Sequence, residues 1–523
     1  MIITSIDQWH DWHVEPTYTT LPLLKRLPLE HNGIASWEAA WKEASSYAFV
    51  LESGKDGRYT YLGLHPEGMI RGKDRTAEMT VFGADGEVVS QERAEGKPLE
   101  LVRRWMESYK GPRIEEGPKW TGGCVGFWSY DIIRSIERLP EIAADDLGVP
   151  DYLFLRMNEL WIVDHLEQAI YCAVHTPIRR DGIDGGLQPL YEEACRRAES
   201  MAAFWQERFA GGRTADATAV RRAREAMTQD DSLHIDVEQV PGIQFPFSKP
   251  DYMEAVRRIQ RYIEQGDVFQ VNLSLRQSRR VAISPEELYE WLRVINPSPY
   301  MGFLRCPDFQ LVSASPELLV EQQNGRLAAR PIAGTRRRGR TEEEDLLMEQ
   351  ELLSSEKEKA EHIMLVDLER NDLGRIAAYG SVHVEELMVV ERYSHVMHMV
   401  SQVEGTLAPG KDAFDVIAAK FPGGTITGAP KIRTMEIIEE LEPTRRGPYT
   451  GSLGWIDYTG DMEFNIIIRT MTVKDGLVHI QAGAGIVIDS VPEREYYESL
   501  NKAKALWKAI QYSERQAAQV RTE

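Results

Sequence analysis

The chain has 523 residues, 42% of them hydrophobic and 27% charged, which is enough for a large buried core and close to the composition of a soluble globular protein. Its 61 basic and 82 acidic residues leave a net charge of −21, which argues against a nucleic-acid partner but leaves room for a small anionic substrate in a local positive pocket. Cys124, Cys172, Cys195 and Cys306 form no C-x-x-C pair, the opening MIITSIDQWHDWHVEP lacks a basic and then apolar leader, and no apolar run approaches the roughly 18 residues of a membrane span, so a cytoplasmic protein without membrane contact is expected.

Residues 15–207 alternate short strand-like runs with turns, as in YAFVLES, GRYTYLG and GCVGFWSYD. Residues 208–245 are charged and poor in large apolar groups, and read as a linker or surface excursion. The region 246–512 carries most of the motifs. PDYMEAVRRIQRYIEQGD puts Met253, Val256, Ile259 and Ile263 on one helical face, and Gly266 ends it. VFQVNLSLR alternates, with Phe269, Val271, Leu273 and Leu275 to one side and Gln270, Asn272 and Ser274 to the other. A long acidic helix is expected over 342–368. The isoleucine run in NIIIRT looks like a buried strand interrupted by Arg469, and Pro492 opens a last helix. Strands in runs between long helices favour an α+β class.

FPGGTITGAPK, 421–431, looks like a phosphate cradle but fails as one: Ala429 and Pro430 separate Gly428 from Lys431, and Ile432 stands where a metal-binding hydroxyl belongs. Its glycines still let backbone N–H groups approach an anion. On the last helix Glu495, Glu498 and Lys502 share a face, and Glu358 and Glu361 repeat the i, i+3 spacing on the earlier acidic helix. Stacked glutamates suit either two solvated faces or a hard cation such as Mg²⁺. Glu317, in SASPELLVEQ, is a carboxyl in apolar surroundings, suited to donating a proton or simply placed at a strand edge. His398 stands in an apolar stretch, and Arg469 requires a carboxylate from protein or ligand if it is buried. QAGAGIV, 481–487, is a glycine-rich strand end, and Asp367, Arg370, Asn371 and Asp372 fit an ion-paired helix end.

GDVFQVNLS, SPELLV, RPIAGT, AEHIMLVDLERNDLG, YSHVMH, FPGGTITGAPK, GPYTGSLGW, IIIRT, QAGAGIV and EYYESLNKA follow one another in an order that resembles the chorismate-utilising enzymes. The resemblance covers nearly the whole chain and is strongest over 250–508. It implies two large, mostly antiparallel β-sheets packed face to face with helices outside, and a site for chorismate beside Mg²⁺. It implies that Glu361 and Glu498 ligate the metal, with Glu358 and Glu495 close by. Lys502 would support the ring carboxylate, whose side is lined by Gly424 and Thr425. Arg469, Tyr449 and the Gly483–Gly485 backbone would hold the enolpyruvyl carboxylate. Glu317 would protonate the departing C4 hydroxyl, with His398 near the same edge.

Family members that add water to the ring carry a lysine base where this chain has Gln270, so the resemblance points to the two aminating branches, aminodeoxychorismate synthase component I and anthranilate synthase component I. VNLS, FPGGTITGAPK, TRRGPYTGSLGW and MEFNIIIRT favour the first. Glu52 and Ser53 of VLES, with Asn296, Pro297, Ser298, Tyr300 and Met301 of NPSPYM, resemble tryptophan-binding segments of the second and mark a possible effector site. Ala333 stands where many aminodeoxychorismate synthases have a lysine thought to attack the ring. Both branches take ammonia from a separate glutamine amidotransferase. This chain has no cysteine in a G-x-C-x-G elbow. A non-catalytic amino-acid-binding regulator is the remaining, weaker alternative.

Overall fold

A computed structural model describes residues 1–30, 34–54, 57–178, 186–209, 212–229, 235–339, 341–392 and 396–520. Tyr393, Ser394 and His395 of YSHVMH, and residues 210–211 and 230–234 of the charged stretch, lie outside the described residues.

Strands of both halves of the chain interleave in two large antiparallel sheets. In the first, of eleven strands, Thr20–Pro28, Ala169–Pro177, Glu159–Asp164, Tyr59–Gly63 and Ala48–Glu52 lead to Tyr300–Arg305, where the halves join with Met301 opposite Glu52. Gln310–Ser315, Thr470–Lys474, Leu477–Ile486, Gln270–Arg280 and Gly428–Ala429 complete it. In the second, of twelve, the halves join where Ser452–Asp457 pairs with Gly123–Trp128. Phe49, Tyr61, Leu304 and Leu311 from the first sheet pack against Phe127, Leu155, Leu453 and Trp455 from the second, and this apolar layer holds the sheets face to face. Trp120 stacks on Trp455 with ring centroids 5.3 Å apart. Helices cover the outer faces, as expected.

The last helix, Pro492–Val520, buries Leu500, Ala503, Trp507 and Ile510 against the first sheet and the helix Pro285–Ile295. Four expectations need correction. Phe269 is exposed, because the strand begins one residue later at Gln270 while Val271, Leu273 and Leu275 enter the core. The long acidic helix is two helices, Glu342–Ser354 and Glu356–Gly374, broken at the extended Ser355, whose hydroxyl caps the second by accepting from the Glu358 N–H. Ile466–Ile468 are not in a strand: Met462–Asn465 ends before them, the chain crosses between the sheets, and Arg469 takes a left-handed φ of 52° before Thr470–Lys474 begins. The charged stretch 208–245 contains a helix, Gly212–Gln229, anchored by Arg224, which is 2% exposed and reaches Glu287 at 2.7 Å. An ion pair, rather than an apolar stripe, fixes this helix, and hydrophobic patterning carries no trace of that.

Candidate active site

The helices Glu356–Gly374 and Pro492–Val520 stand near enough for Lys502 of the second to act on Glu361 of the first, and the space they share is the candidate cleft. The first buries His362, Leu365 and Val366, and its half-buried Glu358 and Glu361 lie on and beside that same face. Glu361 Oε1 accepts from Gln270 Nε2 at 3.2 Å. On the second helix, Lys502 Nζ lies 3.0 Å from Glu498 Oε1 and donates to the Gly483 carbonyl at 2.9 Å. Burial raises the pKa of Glu361, the Gln270 amide opposes, Glu358 adds to the rise, and Lys357 and Lys502 work against it. Burial raises Glu495 too, and Glu498 adds to it against Lys502 and Lys357. The same two lysines act on both glutamates, so the two helices share one electrostatic neighbourhood. Glu358 also takes an ion pair from Arg336 at 3.2 Å.

Among the described residues, no group of three or more His, Cys, Asp or Glu side chains forms a ready metal cluster. A Mg²⁺ ion needs less from the protein. It takes one or two carboxylates and fills its remaining positions with water and substrate oxygens. Carboxylates whose charged form is disfavoured by burial and by a like neighbour fit that requirement.

Arg469 reaches the last helix at Lys502. Its Nη1 donates to the Lys502 carbonyl at 2.8 Å, and among the described residues it has no ion-pair partner. Burial lowers its pKa. A half-buried guanidinium without an acid leaves its charge for a ligand. Tyr449 lies close by, its phenol pushed up by burial. Behind it, Arg446 is 2% exposed and binds the loop and strand together: it donates to Glu442 Oε2 at 2.9 Å, to the Ile426 carbonyl at 2.9 Å and to the Asn272 carbonyl at 2.8 Å. Glu442 in turn accepts from the Ser274 N–H at 2.9 Å. Close approach explains the glycines. A Cβ at Gly485 would lie 2.2 Å from Gln270 Nε2, and one at Gly424 would lie 1.7 Å from Leu368 Cδ2. Gly483 offers its carbonyl to Lys502.

Glu317 is 7% exposed, and burial lifts its carboxyl to about 7, opposed by the Thr425 hydroxyl, Lys420 and Lys502. This carboxyl holds a proton near neutrality. His398 Nδ1 lies 3.1 Å from the Gly334 carbonyl and 3.1 Å from Thr335 Oγ1, and burial pulls its pKa down. Ala333, on the strand paired with that of His398, presents only a methyl group. Sequence reading passed over Arg446, Glu442, Lys357, Lys420 and Glu369. Lys420 had a visible signal, a lone charge in the apolar run VIAAKF.

The expected effector residues meet elsewhere. Glu52 and Met301 are paired across neighbouring strands, and the Gly54 N–H donates to the Ser298 carbonyl at 2.8 Å. The Ser298 hydroxyl donates to the Asn296 carbonyl at 3.2 Å, and Pro297 packs where a Cβ on Gly54 would collide. Glu52, Ser53, Tyr300 and Met301 line a cavity of about 540 Å³ between the sheets, with Trp455 and Glu463 opposite. Glu52 Oε1 accepts from Arg293 Nε at 2.7 Å and from the Tyr289 hydroxyl at 2.7 Å.

Two glutamate pairs, each with one carboxylate held against its charge by burial and a like neighbour, an arginine without an acid and a buried proton donor, set in a two-sheet body, define an enzyme for a small anionic molecule. The chain belongs to the family of chorismate binding enzymes, whose model matches residues 47–508. It is 43% identical to aminodeoxychorismate synthase component 1 of Bacillus subtilis over 94% of this chain and 98% of that protein. It is 45% identical to anthranilate synthase component 1 of Thermus thermophilus over 90% of this chain and 94% of that protein. Among solved structures, anthranilate synthase component I from Streptococcus pneumoniae matches with a TM-score of 0.68 and 34% identity, covering 86% of this chain and 92% of that chain. Among the described residues, no helix is long and apolar enough to cross a membrane.

Proposed function

We propose that the protein is an aminodeoxychorismate synthase component I, which converts chorismate and ammonia to 4-amino-4-deoxychorismate and water. Ammonia would come from glutamine through a separate amidotransferase subunit in the cytoplasm. Gln270 carries the amination reading. It opens its strand, and it donates its amide to Glu361. A neutral amide is no base for water at neutral pH, whereas ammonia is already a nucleophile.

In this reading Glu361 and Glu498, with Glu358 and Glu495 beside them, hold Mg²⁺, which supplies positive charge against the ring carboxylate when bound. Lys502 supports the same carboxylate, and Gly424 and Thr425 line its side. Arg469, Tyr449 and the Gly483–Gly485 backbone fix the enolpyruvyl carboxylate. Glu317, protonated near neutrality, gives its proton to the departing C4 hydroxyl, so that water leaves as the C–N bond forms. His398, neutral at pH 7, orders that edge of the site.

The choice between the aminating branches rests on the motif pattern and on the Bacillus subtilis relative, which this chain matches over nearly the full length of both. Ala333 and the Thermus thermophilus relative favour anthranilate synthase as the second reading. Incubation with chorismate, Mg²⁺ and an ammonium salt separates them. The first reading expects 4-amino-4-deoxychorismate without pyruvate. Fluorescent anthranilate with stoichiometric pyruvate would replace it by the second, and no chorismate consumption would remove both.

A further inference from the structure

Lys420 closes the helix Ala413–Lys420, and no part of it reaches solvent. A lysine in that condition is uncommon and requires a reason. Its ammonium is ion-paired to Glu369, itself 5% exposed, on the helix Glu356–Gly374. Lys431 lies on the other side, donating to the Lys420 carbonyl at 3.2 Å and to Asp372 at 2.6 Å. Neither the substrate-binding groups nor the carboxylate pairs of the cleft use this cluster.

Its position is informative. The helix that ends in Lys420 packs against both the helix Glu356–Gly374 and the strand Leu318–Gln323, whose first residue follows Glu317. The segment after Lys420 returns to the same place: a Cβ on Gly423 would touch Leu319, and Thr425 lies beside the Glu317 carboxyl. Three groups hold that carboxyl down against its burial: Thr425 of the loop, Lys420 at the end of its helix, and Lys502 of the last helix. Burial and the neighbouring Lys431 push Lys420 toward its neutral form, Glu317 pulls the other way, and the ion pair to Glu369 favours the charge.

We propose that Lys420, anchored by Glu369, is a positioning residue for the acid Glu317, supplying from the protein interior the positive charge that steadies the carboxylate left behind when Glu317 gives up its proton. Lys420 touches no substrate. Glu369 sets how strongly Lys420 acts, because an enclosed lysine keeps its proton only beside a carboxylate. A salt bridge that served packing alone would need no acid of the active site at its far end. Buried pairs of that kind contribute little net stability compared with apolar residues of the same volume.

The reading rests on Glu317 acting as the acid, and the experiment keeps the two apart. In the full chain, kcat/KM for chorismate consumption is measured against pH, with ammonium salt and Mg²⁺ constant. Glu317→Gln is the control: if it retains full activity, the acid assignment fails and the role of Lys420 fails with it. Given an inactive control, Lys420→Met is expected to move the alkaline limb up by about half a pH unit or more, because removing a cation raises a neighbouring carboxyl. Glu369→Gln is expected to move it up as well, because the enclosed Lys420 then loses the counter-ion that keeps it charged. Should either single variant fail to fold, the paired replacement Lys420→Met with Glu369→Met removes both buried charges, and it too is expected to raise the limb. Wild-type limbs in the variants that fold, beside an inactive Glu317→Gln, would reduce the pair to a structural role and overturn the proposal.

Discussion

The cleft and the cavity between the sheets are built from similar residues and treat charge in opposite ways. In the cavity, Glu52 is met by Arg293 and Tyr289, Arg58 lies 2.8 Å from Asp164, and Lys119 is ion-paired to Glu463. In the cleft, Arg336 and Lys502 pair with Glu358 and Glu498, but those two still crowd Glu361 and Glu495, and Arg469 has no ion pair among the described residues. Satisfied charge belongs to architecture, and charge held in an unfavourable state belongs to a site awaiting a ligand. The contrast is sharpest at the two arginines. Arg293 spends its donors on Glu52, Glu290 and the Ile34 carbonyl, whereas Arg469 gives the protein one carbonyl contact.

Glutamine substitutions in the cleft give the largest expected effect. Glu361→Gln and Glu498→Gln keep shape and remove charge, and each is expected to cut kcat by about a thousandfold or more while leaving thermal stability near that of the parent. Measuring chorismate consumption against Mg²⁺ concentration checks this, since a lost ligand also raises the Mg²⁺ requirement. Near-normal rates in both variants would remove the metal assignment and blur the contrast. The cavity is expected to behave the opposite way. Arg293→Met leaves Glu52 and Glu290 buried without their cation and is expected to cost about 3–5 kcal/mol of stability, measured by denaturant unfolding. Activity per folded molecule should stay within a few-fold of the parent.

How far this contrast was legible beforehand depends on the kind of signal. The face carrying Glu495, Glu498 and Lys502 and the alternation of Val271, Leu273 and Leu275 follow from periods of 3.6 and 2, which are local properties of a chain. Phe269 obeyed the same alternation but lies outside the strand, because pairing with Leu477–Ile486 begins at Val271 and only Gly428–Ala429 reaches Gln270. The isoleucine run misled for a different reason: burial on every side makes any backbone path read as apolar. The joining of the two halves through Tyr300–Arg305 against Ala48–Glu52 spans some 250 positions of sequence, and no local pattern records it. The enclosed partners Arg446–Glu442 and Lys420–Glu369 were missed because a charged residue reads as surface until its counter-ion is known.

Arg469 gives a smaller, double-sided effect. Arg469→Met is expected to raise KM for chorismate about a hundredfold, since one carboxylate of the substrate loses its charged partner. Its melting temperature is expected to stay level or rise, because the cost of enclosing an unpaired guanidinium disappears. A fall of several degrees would mean that the protein itself uses this charge, and the distinction between the two arginines would fail.

The smallest effect concerns stability and has a definite sign. Glu317 titrates near 4.5 when unfolded and near 7 when folded. Between those values the folded chain holds a proton that the unfolded chain has released, so this group makes the protein less stable as pH rises through that window. Above pH 7 the penalty is complete. Glu317→Gln keeps the shape and cannot ionise. The variant is therefore expected to match the parent near pH 4.5, to gain on it steadily up to pH 7, and to be more stable at pH 8 by about 1–3 kcal/mol. Under the proposed function the same substitution abolishes the acid, so an inactive but stabler enzyme at pH 8 is the expected pairing. Equal unfolding midpoints at pH 5 and pH 8 would show that the carboxyl is not held protonated by its surroundings. Glu317 would then belong with Glu52 among the satisfied charges, and the boundary between architecture and site would have to be redrawn around it.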